Sequence, residues 1–184
     1  MRELFDMIKN NYDPNGKPYI RPSVRGIIIR DGKIAMVHSI MYDYYKFPGG
    51  GMSSGEDRIS TLVREVKEEA GLDVILDSIR EYGHVLRKEK GHPEDIFVQD
   101  NYYYLCETSN TSGEQLLDDY EKDENFTLEW IDPSVVIEAN ERFYELCSNY
   151  DDDAHIRKSV EAIREARVMR MLVEEGYFSI TELK

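Results

Sequence analysis

The segment from Gly50 to Leu72 (GGMSSGEDRISTLVREVKEEAGL) joins a glycine-rich turn to a stretch with helical periodicity. At 3.6 residues per turn, one side of a helix over 57–70 is apolar and is predicted to face a core. That side consists of Ile59, Leu62, Val63, Val66 and Ala70. The neighbouring side is acidic and consists of Glu65, Glu68 and Glu69, with Arg64 at its edge. The fold must therefore cover one side of this helix and leave a row of carboxylates beside the glycine turn.

Strand patterns and helix patterns alternate along the rest of the chain. Two β-prone runs around 24–29 and 34–37 are separated by Asp31-Gly32, which predicts a hairpin. Further strands are predicted over 73–87, 96–107 and 128–131, a loop over 109–125, and helices over 3–10, 134–148 and 153–175. Strand pairs with a helix between them indicate an α/β protein in which helices cover a sheet.

Composition and charge exclude several classes of protein. The chain has 184 residues, 41% of them hydrophobic, and a formal net charge of −14. Such an acidic surface repels a phosphate backbone, so no nucleic acid polymer is expected as a partner, whereas a metal ion can neutralise the phosphates of a small nucleotide. The sequence contains no apolar run long enough for a signal or a membrane span, which predicts a cytoplasmic protein without a membrane partner.

The row of carboxylates on the predicted helix favours a metal site. Like charges three or four residues apart destabilise an isolated helix by about 0.2–0.5 kcal/mol per pair. A hard divalent ion reverses that effect, because Mg²⁺ binds carboxylates together with the phosphates of a substrate. A metal held in this way can polarise a pyrophosphate and activate a water molecule, whose proton a nearby carboxylate accepts. The alternative is that a glutamate-rich helix is simply a solvated surface.

The spacing of these residues resembles the signature of the Nudix hydrolase family. The signature is glycine, five residues, glutamate, seven residues, then Arg-Glu-hydrophobic-any-Glu-Glu-any-Gly-hydrophobic. It is matched without a departure by Gly50, Glu56, Arg64, Glu65, Val66, Glu68, Glu69, Gly71 and Leu72, and the preceding Phe47-Pro48-Gly49 is also similar to the family. The resemblance covers about residues 22–132. It implies an α/β/α sandwich around a mixed sheet, with residues 1–132 as the core and 133–184 as a C-terminal helical extension.

The resemblance also implies roles for individual residues. Glu65, Glu68 and Glu69 would be the metal-binding carboxylates, with Mg²⁺ as the expected ion and Mn²⁺ as the alternative. Glu56 would either assist the metal or pair with Arg64, and Arg64 would orient the glutamates. Gly49 would offer its backbone carbonyl as a further ligand. Gly50, Phe47 and Tyr45 are the candidate substrate contacts.

Two assignments outside the signature stay open at this point. A general base on the acidic loop before Trp130 is expected to be Glu124, with Glu121 and Asp123 as competitors. Tyrosines near the glycine turn and on 96–107 could stack a nucleobase, although packing is the commoner role. Strand alternation places Tyr102 and Tyr104 on one face and Tyr103 on the other.

The function expected is Mg²⁺-dependent hydrolysis of a pyrophosphate bond in a small nucleotide, a nucleoside diphosphate linked to another group. The alternative is a non-catalytic nucleotide-sensing domain. The identity of the leaving group stays open, because the residues of the signature would contact only the phosphates and the metal ion. The apolar face of the C-terminal helices predicts packing either on the core or against a second copy of the chain in a homodimer.

Overall fold

The fold is a mixed α/β arrangement of eleven short strands and four helices within residues 1–150 and 152–178, which are the residues the computed structural model describes. The strands are β1 (Glu3–Ile8), β2 (Pro18–Ile20), β3 (Ser23–Ile27), β4 (Ile29–Arg30), β5 (Lys33–Ser39), β6 (Tyr44–Lys46), β7 (Leu72–Val74), β8 (Arg80–Lys90), β9 (Ile96–Leu105), β10 (Thr108–Ser112) and β11 (Phe126–Ile131). The helices are α1 (Arg58–Ala70), α2 (Asp119–Asp123), α3 (Pro133–Cys147) and α4 (Asp153–Glu174), and Leu76–Ser78 forms a single 3₁₀ turn.

The described strands form two main sheets instead of one. In the larger, mixed sheet, β8 and β9 are antiparallel, β1 runs parallel to β8, and β2 and β3 run parallel to β9. In the second sheet β5 lies between β4 and β11 and also pairs with β6, always antiparallel. The predicted hairpin at Asp31-Gly32 is confirmed as the β4–β5 turn.

The chain passes from one sheet to the other at Ile28, between β3 and β4. The Ile28 carbonyl accepts from Ala35 N in β5, and the preceding Ile27 carbonyl accepts from Cys106 N after β9. Because successive side chains point to opposite faces, Ile27 packs towards α3 and α4, whereas Ile28 packs towards α1. Helices therefore cover both faces, and the predicted α/β/α sandwich is confirmed.

The tyrosines of β9 follow the predicted alternation. Tyr103 belongs to the core layer beneath α3 and α4, whereas Tyr102 and Tyr104 belong to the layer beneath α1. Tyr103 is fully buried and meets Phe47 edge to face. Most of the aromatic content of this strand is therefore used for packing.

Helix α1 begins and ends where the sequence predicts. The Asp57 side chain accepts from the backbone N–H groups of Ile59 and Ser60 at 2.8 and 2.9 Å, which caps the first turn. Gly71 ends the helix in the left-handed conformation, with φ of 65°, which favours glycine. The apolar side contributes Leu62, Val66 and Ala70 to the core.

Two predictions of local structure are wrong. Residues 3–10 are predicted to be helical, but Glu3–Ile8 is strand β1. Pairing with β8 outweighs the helix propensity of the segment, because so short a helix is only weakly stable by itself. The expected loop over 109–125 contains β10, which pairs with β7, and the short helix α2. Asp118 and Glu121 cap α2 reciprocally, a local signal that the loop prediction overlooked.

The C-terminal helices pack on the core of their own chain. Met169 and Leu172 of α4 are fully buried beside Ile34 and Met36 of β5. The buried Asn140 side chain of α3 bonds both backbone groups of Tyr45, at 2.7 and 2.8 Å. Much of the apolar face of α3 and α4 is thus used within the chain, and the homodimer stays a prediction. Residue 151 and residues 179–184 of the predicted extension lie outside the described residues.

Among the described helices, none combines the length and apolarity that a membrane span requires.

Candidate active site

The glycine turn and the acidic side of α1 meet as the sequence predicts. A side chain at Gly50 would overlap the Glu65 carboxylate, so glycine here lets this carboxylate lie directly against the turn. The turn is fixed on its other side by β3, where Val24 N donates to the Gly50 carbonyl and Gly26 N donates to the Pro48 carbonyl. Local packing therefore holds the carboxylates against the backbone of the turn.

Arg64 gathers three of the four carboxylates of the signature. Its guanidinium donates to Glu56 at 2.8 and 2.9 Å, to Glu65 at 2.7 Å and to Glu68 at 2.9 Å. The hydrogen bonds from Arg64 lower the pKa of Glu56 to about 2. The pKa of Glu65 is raised instead, because burial outweighs the effect of Arg64.

Glu69 is the most deeply buried of the four carboxylates and has different partners. It is 1% exposed, and it accepts from Lys46 Nζ at 2.6 Å and from Gly49 N at 2.9 Å. Burial raises the pKa of Glu69 to about 7, although Lys46 and Arg25 oppose the shift. A carboxylate in this environment is held rigidly beside the glycine turn.

The Gly49 carbonyl accepts a hydrogen bond from Arg25 of β3. The same guanidinium donates to Glu161 of α4 at 2.9 Å. Burial alone would raise the pKa of Glu161, but Arg25 and Arg164 lower it well below its usual range. The glycine turn is thereby connected to the C-terminal helix through buried charges.

These groups open into one large cavity with a volume of about 930 Å³. The glycine turn, Glu65, Glu68 and Glu69 line one part of it. Residues of β2, β3, β6, β8, β9, α2 and α4, with loop residues between them, line the remainder. A cavity of this size accommodates a nucleotide-sized ligand. The carboxylates Glu65, Glu68 and Glu69 of α1 therefore line a cavity of ligand size.

Four of the predicted site residues do not line this cavity. One of them, Glu56, is connected to it only through its ion pair with Arg64. Phe47 is fully buried and Tyr45 is stacked on His38 with a centroid distance of 4.3 Å, so both are packed in the core. Glu124 is buried, accepts from Ser39 Oγ at 3.1 Å and pairs with Lys158. Its neighbour Glu121, which the sequence named only as a competitor for the general base, does line the cavity.

Several residues of the site carry no readable signal in the sequence. Lys46 and Arg25 are each about 5% exposed and lie in strands, where a buried cation is recognised only when its partner is seen. The aromatic side chains that line the cavity are Tyr19, Phe97 and Tyr120, not the tyrosines near the glycine turn. Tyr19 and Phe97 lie 6.2 Å apart between ring centroids. Only the pairing of β2 with β9 brings them together.

The donor atoms of the site fit a hard divalent cation. They are the oxygens of Glu65, Glu68, Glu69 and the Gly49 carbonyl, the ligand type that Mg²⁺ prefers. In the described part of the chain no three acidic, histidine or cysteine side chains converge as a ready-made metal site. The reason is that Arg64, Lys46 and Arg25 hold these oxygens as ion pairs and hydrogen bonds.

Comparison with known proteins agrees with this geometry. A family model described as the NUDIX domain matches residues 20–147, well over half of the chain. A segment of 61 residues is 36% identical to an RNA pyrophosphohydrolase of Xanthomonas campestris, and a segment of 62 residues is 40% identical to one of Xylella fastidiosa. Each segment is 33% of this chain and covers only 28% and 30% of those relatives.

A solved structure supports the fold. A NUDIX hydrolase from Nitrosomonas europaea superposes with a TM-score of 0.50 over 81% of this chain and 91% of its own, at 14% sequence identity. At that identity the likeness concerns the fold alone. The uninterrupted signature on α1, the sandwich around it and the matching family model together show that the chain belongs to the Nudix hydrolase family.

Proposed function

We propose that this protein hydrolyses a pyrophosphate bond in a small nucleotide, a nucleoside diphosphate linked to a further group. The observation that carries the proposal is the row of carboxylates Glu65, Glu68 and Glu69 on the wall of a 930 Å³ cavity beside the glycine turn. Carboxylates crowded in this way are favourable when a cation and a polyphosphate occupy the space between them. The nucleoside would lie against the aromatic side chains of Tyr19, Phe97 and Tyr120.

The expected cofactor is Mg²⁺, with Mn²⁺ as the alternative. The residues that would hold it are Glu65, Glu68 and Glu69 with the Gly49 carbonyl, and Glu56 would act through Arg64. When bound, the ion would withdraw negative charge from the pyrophosphate and make a water molecule more acidic. Arg64 and Lys46, which now neutralise the carboxylates, would be free to bind phosphate oxygens once the ion takes their place.

Glu121 is the better placed carboxylate for accepting the proton of the attacking water. It lines the cavity, and its pKa is lowered because Lys46 and the Asp118 N–H outweigh the effect of burial. A deprotonated carboxylate is the form in which a general base acts. Glu124 instead is bound by Lys158 and Ser39 outside the cavity lining, so we favour Glu121 for this role.

The names of the relatives suggest the 5′ end of an RNA as a second substrate. Their matched segments are short, and the net charge of −14 would repel the phosphate backbone beyond the first nucleotide. A nucleotide-sensing domain without turnover is the other alternative. The complete signature argues against it, since such a domain has no need for each of these carboxylates.

The proposal is tested by assaying hydrolysis of a panel of nucleotides in the presence of Mg²⁺, with identification of the products. We expect Glu69→Gln to reduce kcat by more than about 100-fold, because even groups that only orient metal ligands are worth roughly 10–100-fold. Glu65→Gln should have a comparable effect. Glu107→Gln, on an exposed residue outside the cavity, is the matched control and should be as active as the unmodified chain.

Thermal unfolding of each variant separates lost chemistry from lost structure. Glu69→Gln leaves the buried Lys46 without its carboxylate, which can lower the melting temperature. Glu65 is less buried than Glu69, so Glu65→Gln should remain folded. This second variant keeps the test decisive if Glu69→Gln unfolds. Turnover that is undiminished in both folded variants would reject the assignment, and binding of nucleotide without any hydrolysis would favour the sensing domain.

A further inference from the structure

The part of the cavity formed by β8, β9 and α4 differs in charge from the part formed by α1. Cationic side chains in this region suggest a ligand that carries anionic groups in addition to the pyrophosphate. They are Lys9, Arg87, Lys90, Arg157, Lys158 and Arg164. The carboxylates that line the same region are Glu89, Glu94 and Glu161. Four of the cations already have carboxylate partners: Lys9 and Arg87 pair with Glu89, Lys158 with Glu124, and Arg164 with the buried Glu165. In a chain with a net charge of −14, an excess of cations inside one cavity requires a specific reason.

Three arginines are brought close together by buried contacts. Arg25 and Arg164 donate to the same oxygen of Glu161, at 2.9 and 3.2 Å. Arg164 also approaches Gln99 Oε1 at 3.5 Å, and Gln99 is the β9 residue opposite Arg87 of β8. Arg25, Arg87 and Arg164 are at most 6% exposed.

Two of these arginines retain hydrogen-bonding capacity. The Nε atoms of Arg25 and Arg87 are buried and have no hydrogen-bond partner among the described residues. A buried donor without a partner costs about 1–3 kcal/mol, which a bound anion would recover. Burial lowers the pKa of Arg87 and the nearby Arg164 lowers it further, although Glu89, which already accepts a hydrogen bond from Arg87, opposes the shift. A bound anion would stabilise the Arg87 cation further.

Helix α4 contributes an exposed cation to the same region. Arg157 lies seven residues before Arg164 and therefore on the same side of the helix. It lines the cavity and forms no ion pair with another described residue. The C-terminal helix thus provides both a buried and a free guanidinium to the cavity.

We propose that Arg87, Arg157 and Arg164, connected to the glycine turn through Arg25, form a subsite for the non-scissile phosphates of a substrate with three or more phosphates. The inference rests on the proposed function, since it treats the cavity as the substrate site. The Arg25 contact with the Gly49 carbonyl places the subsite next to the carboxylates, so a phosphate chain can extend from one to the other. Helix α4 then selects among substrates that share a pyrophosphate.

Binding of inorganic tripolyphosphate in the presence of EDTA, measured by calorimetry on the full chain, tests the subsite without hydrolysis or metal. We expect Arg157→Gln and Arg87→Gln each to weaken binding by about tenfold, as removal of a charge-assisted hydrogen bond does. Arg157 is exposed, so its substitution leaves the fold intact even if that of Arg87 does not. Arg167 is an exposed arginine of the same helix outside the cavity, so Arg167→Gln is the control. This variant should bind tripolyphosphate as tightly as the unmodified chain.

A second readout compares diadenosine tetraphosphate with diadenosine diphosphate as substrates. Arg157→Gln should raise the KM of the tetraphosphate relative to that of the diphosphate by about tenfold, from the same loss of a charged contact. Tripolyphosphate binding that is absent, or equal in Arg157→Gln and the unmodified chain, overturns the subsite even if hydrolysis is found. Arginine-dependent binding without hydrolysis of any nucleotide would preserve the subsite and reject the proposed function.

Discussion

Individual residues of the glycine turn and of α2 decide how the candidate site is built. Glycine at position 50 leaves the space that the Glu65 carboxylate occupies. Glu121 lies in the middle of the short helix α2 and Glu124 is its C-cap three residues later, yet of the two only Glu121 lines the cavity. At this scale, three positions along the chain separate a carboxylate that lines the cavity from one that is held by Lys158 and Ser39.

Substitution of Gly50 by alanine should impair catalysis much more than stability. The added methyl group would displace Glu65 from the turn, and misplacement by about 1 Å can cost on the order of 100-fold in rate. The measurement is kcat with Mg²⁺ together with the melting temperature. Gly55→Ala, at a glycine with open space around it, controls for the loss of glycine in this segment. Full activity of Gly50→Ala would show that Glu65 does not need its present position.

The pair Glu121→Gln and Glu124→Gln separates the two candidates for the general base. We expect Glu121→Gln to lower kcat by about 100-fold or more, the usual contribution of general base catalysis. Glu124→Gln should instead lower stability, because Lys158 loses its buried carboxylate partner. Activity assays across pH and thermal unfolding of both variants provide the comparison. The reverse pattern, with catalysis lost only in Glu124→Gln, would return the role to Glu124.

The elements of the fold contribute to the site in different ways. Helix α1 supplies the carboxylates from one side of the sandwich, and α4 supplies arginines from the other. The buried α3 residue Asn140 bonds the backbone of Tyr45 in β6, which leads directly into the glycine turn. The helices after β11 are therefore part of the folding unit, in agreement with a family model that extends through α3.

Truncation of Leu172 in α4 tests whether this helix belongs to the core. Leu172→Ala should lower the free energy of unfolding by about 2–5 kcal/mol, since the side chain is fully buried and leaves a cavity. Leu146→Ala in α3 removes a side chain that is 55% exposed and should change stability by less than about 0.5 kcal/mol. Urea unfolding at several protein concentrations measures both. Equal, small effects would contradict the packing of α4 on the core.

At the scale of the whole molecule, an acidic exterior surrounds a cavity that contains many cations. The net charge of −14 is carried mostly outside the cavity, where it opposes long polyanions. A short polyphosphate can enter the cavity and avoid most of this repulsion. This distribution of charge would favour a small polyphosphate over a long polyanion.

We therefore expect a nucleoside triphosphate to be hydrolysed with a higher kcat/KM than a 5′-triphosphorylated oligonucleotide that begins with the same nucleoside. The difference should shrink as salt is added, because the repulsion acts at long range and is screened within about 8–10 Å at physiological ionic strength. Steady-state assays of both substrates at several NaCl concentrations measure this. A preference for the oligonucleotide would favour RNA as the substrate and contradict the exclusion of polymers.

The sequence by itself determined the parts of this protein that depend on neighbours along the chain. Helix α1, its caps at Asp57 and Gly71, the glycine turn and the acidic row follow from helical periodicity and short-range geometry. The alternation of Tyr102, Tyr103 and Tyr104 follows from the pleat of a strand. The family, and with it the sandwich, follows from a signature contained within 23 consecutive residues, 50–72.

Only the tertiary structure decided which distant side chains complete the site. Arg25 meets Glu161 across a sequence separation of 136 residues, and Lys46 meets Glu69 across 23. The assignment of residues 3–8 to a strand likewise depends on β8. No local pattern encodes such contacts, because the energy of a buried ion pair or an added strand comes from partners that the folded chain alone brings together.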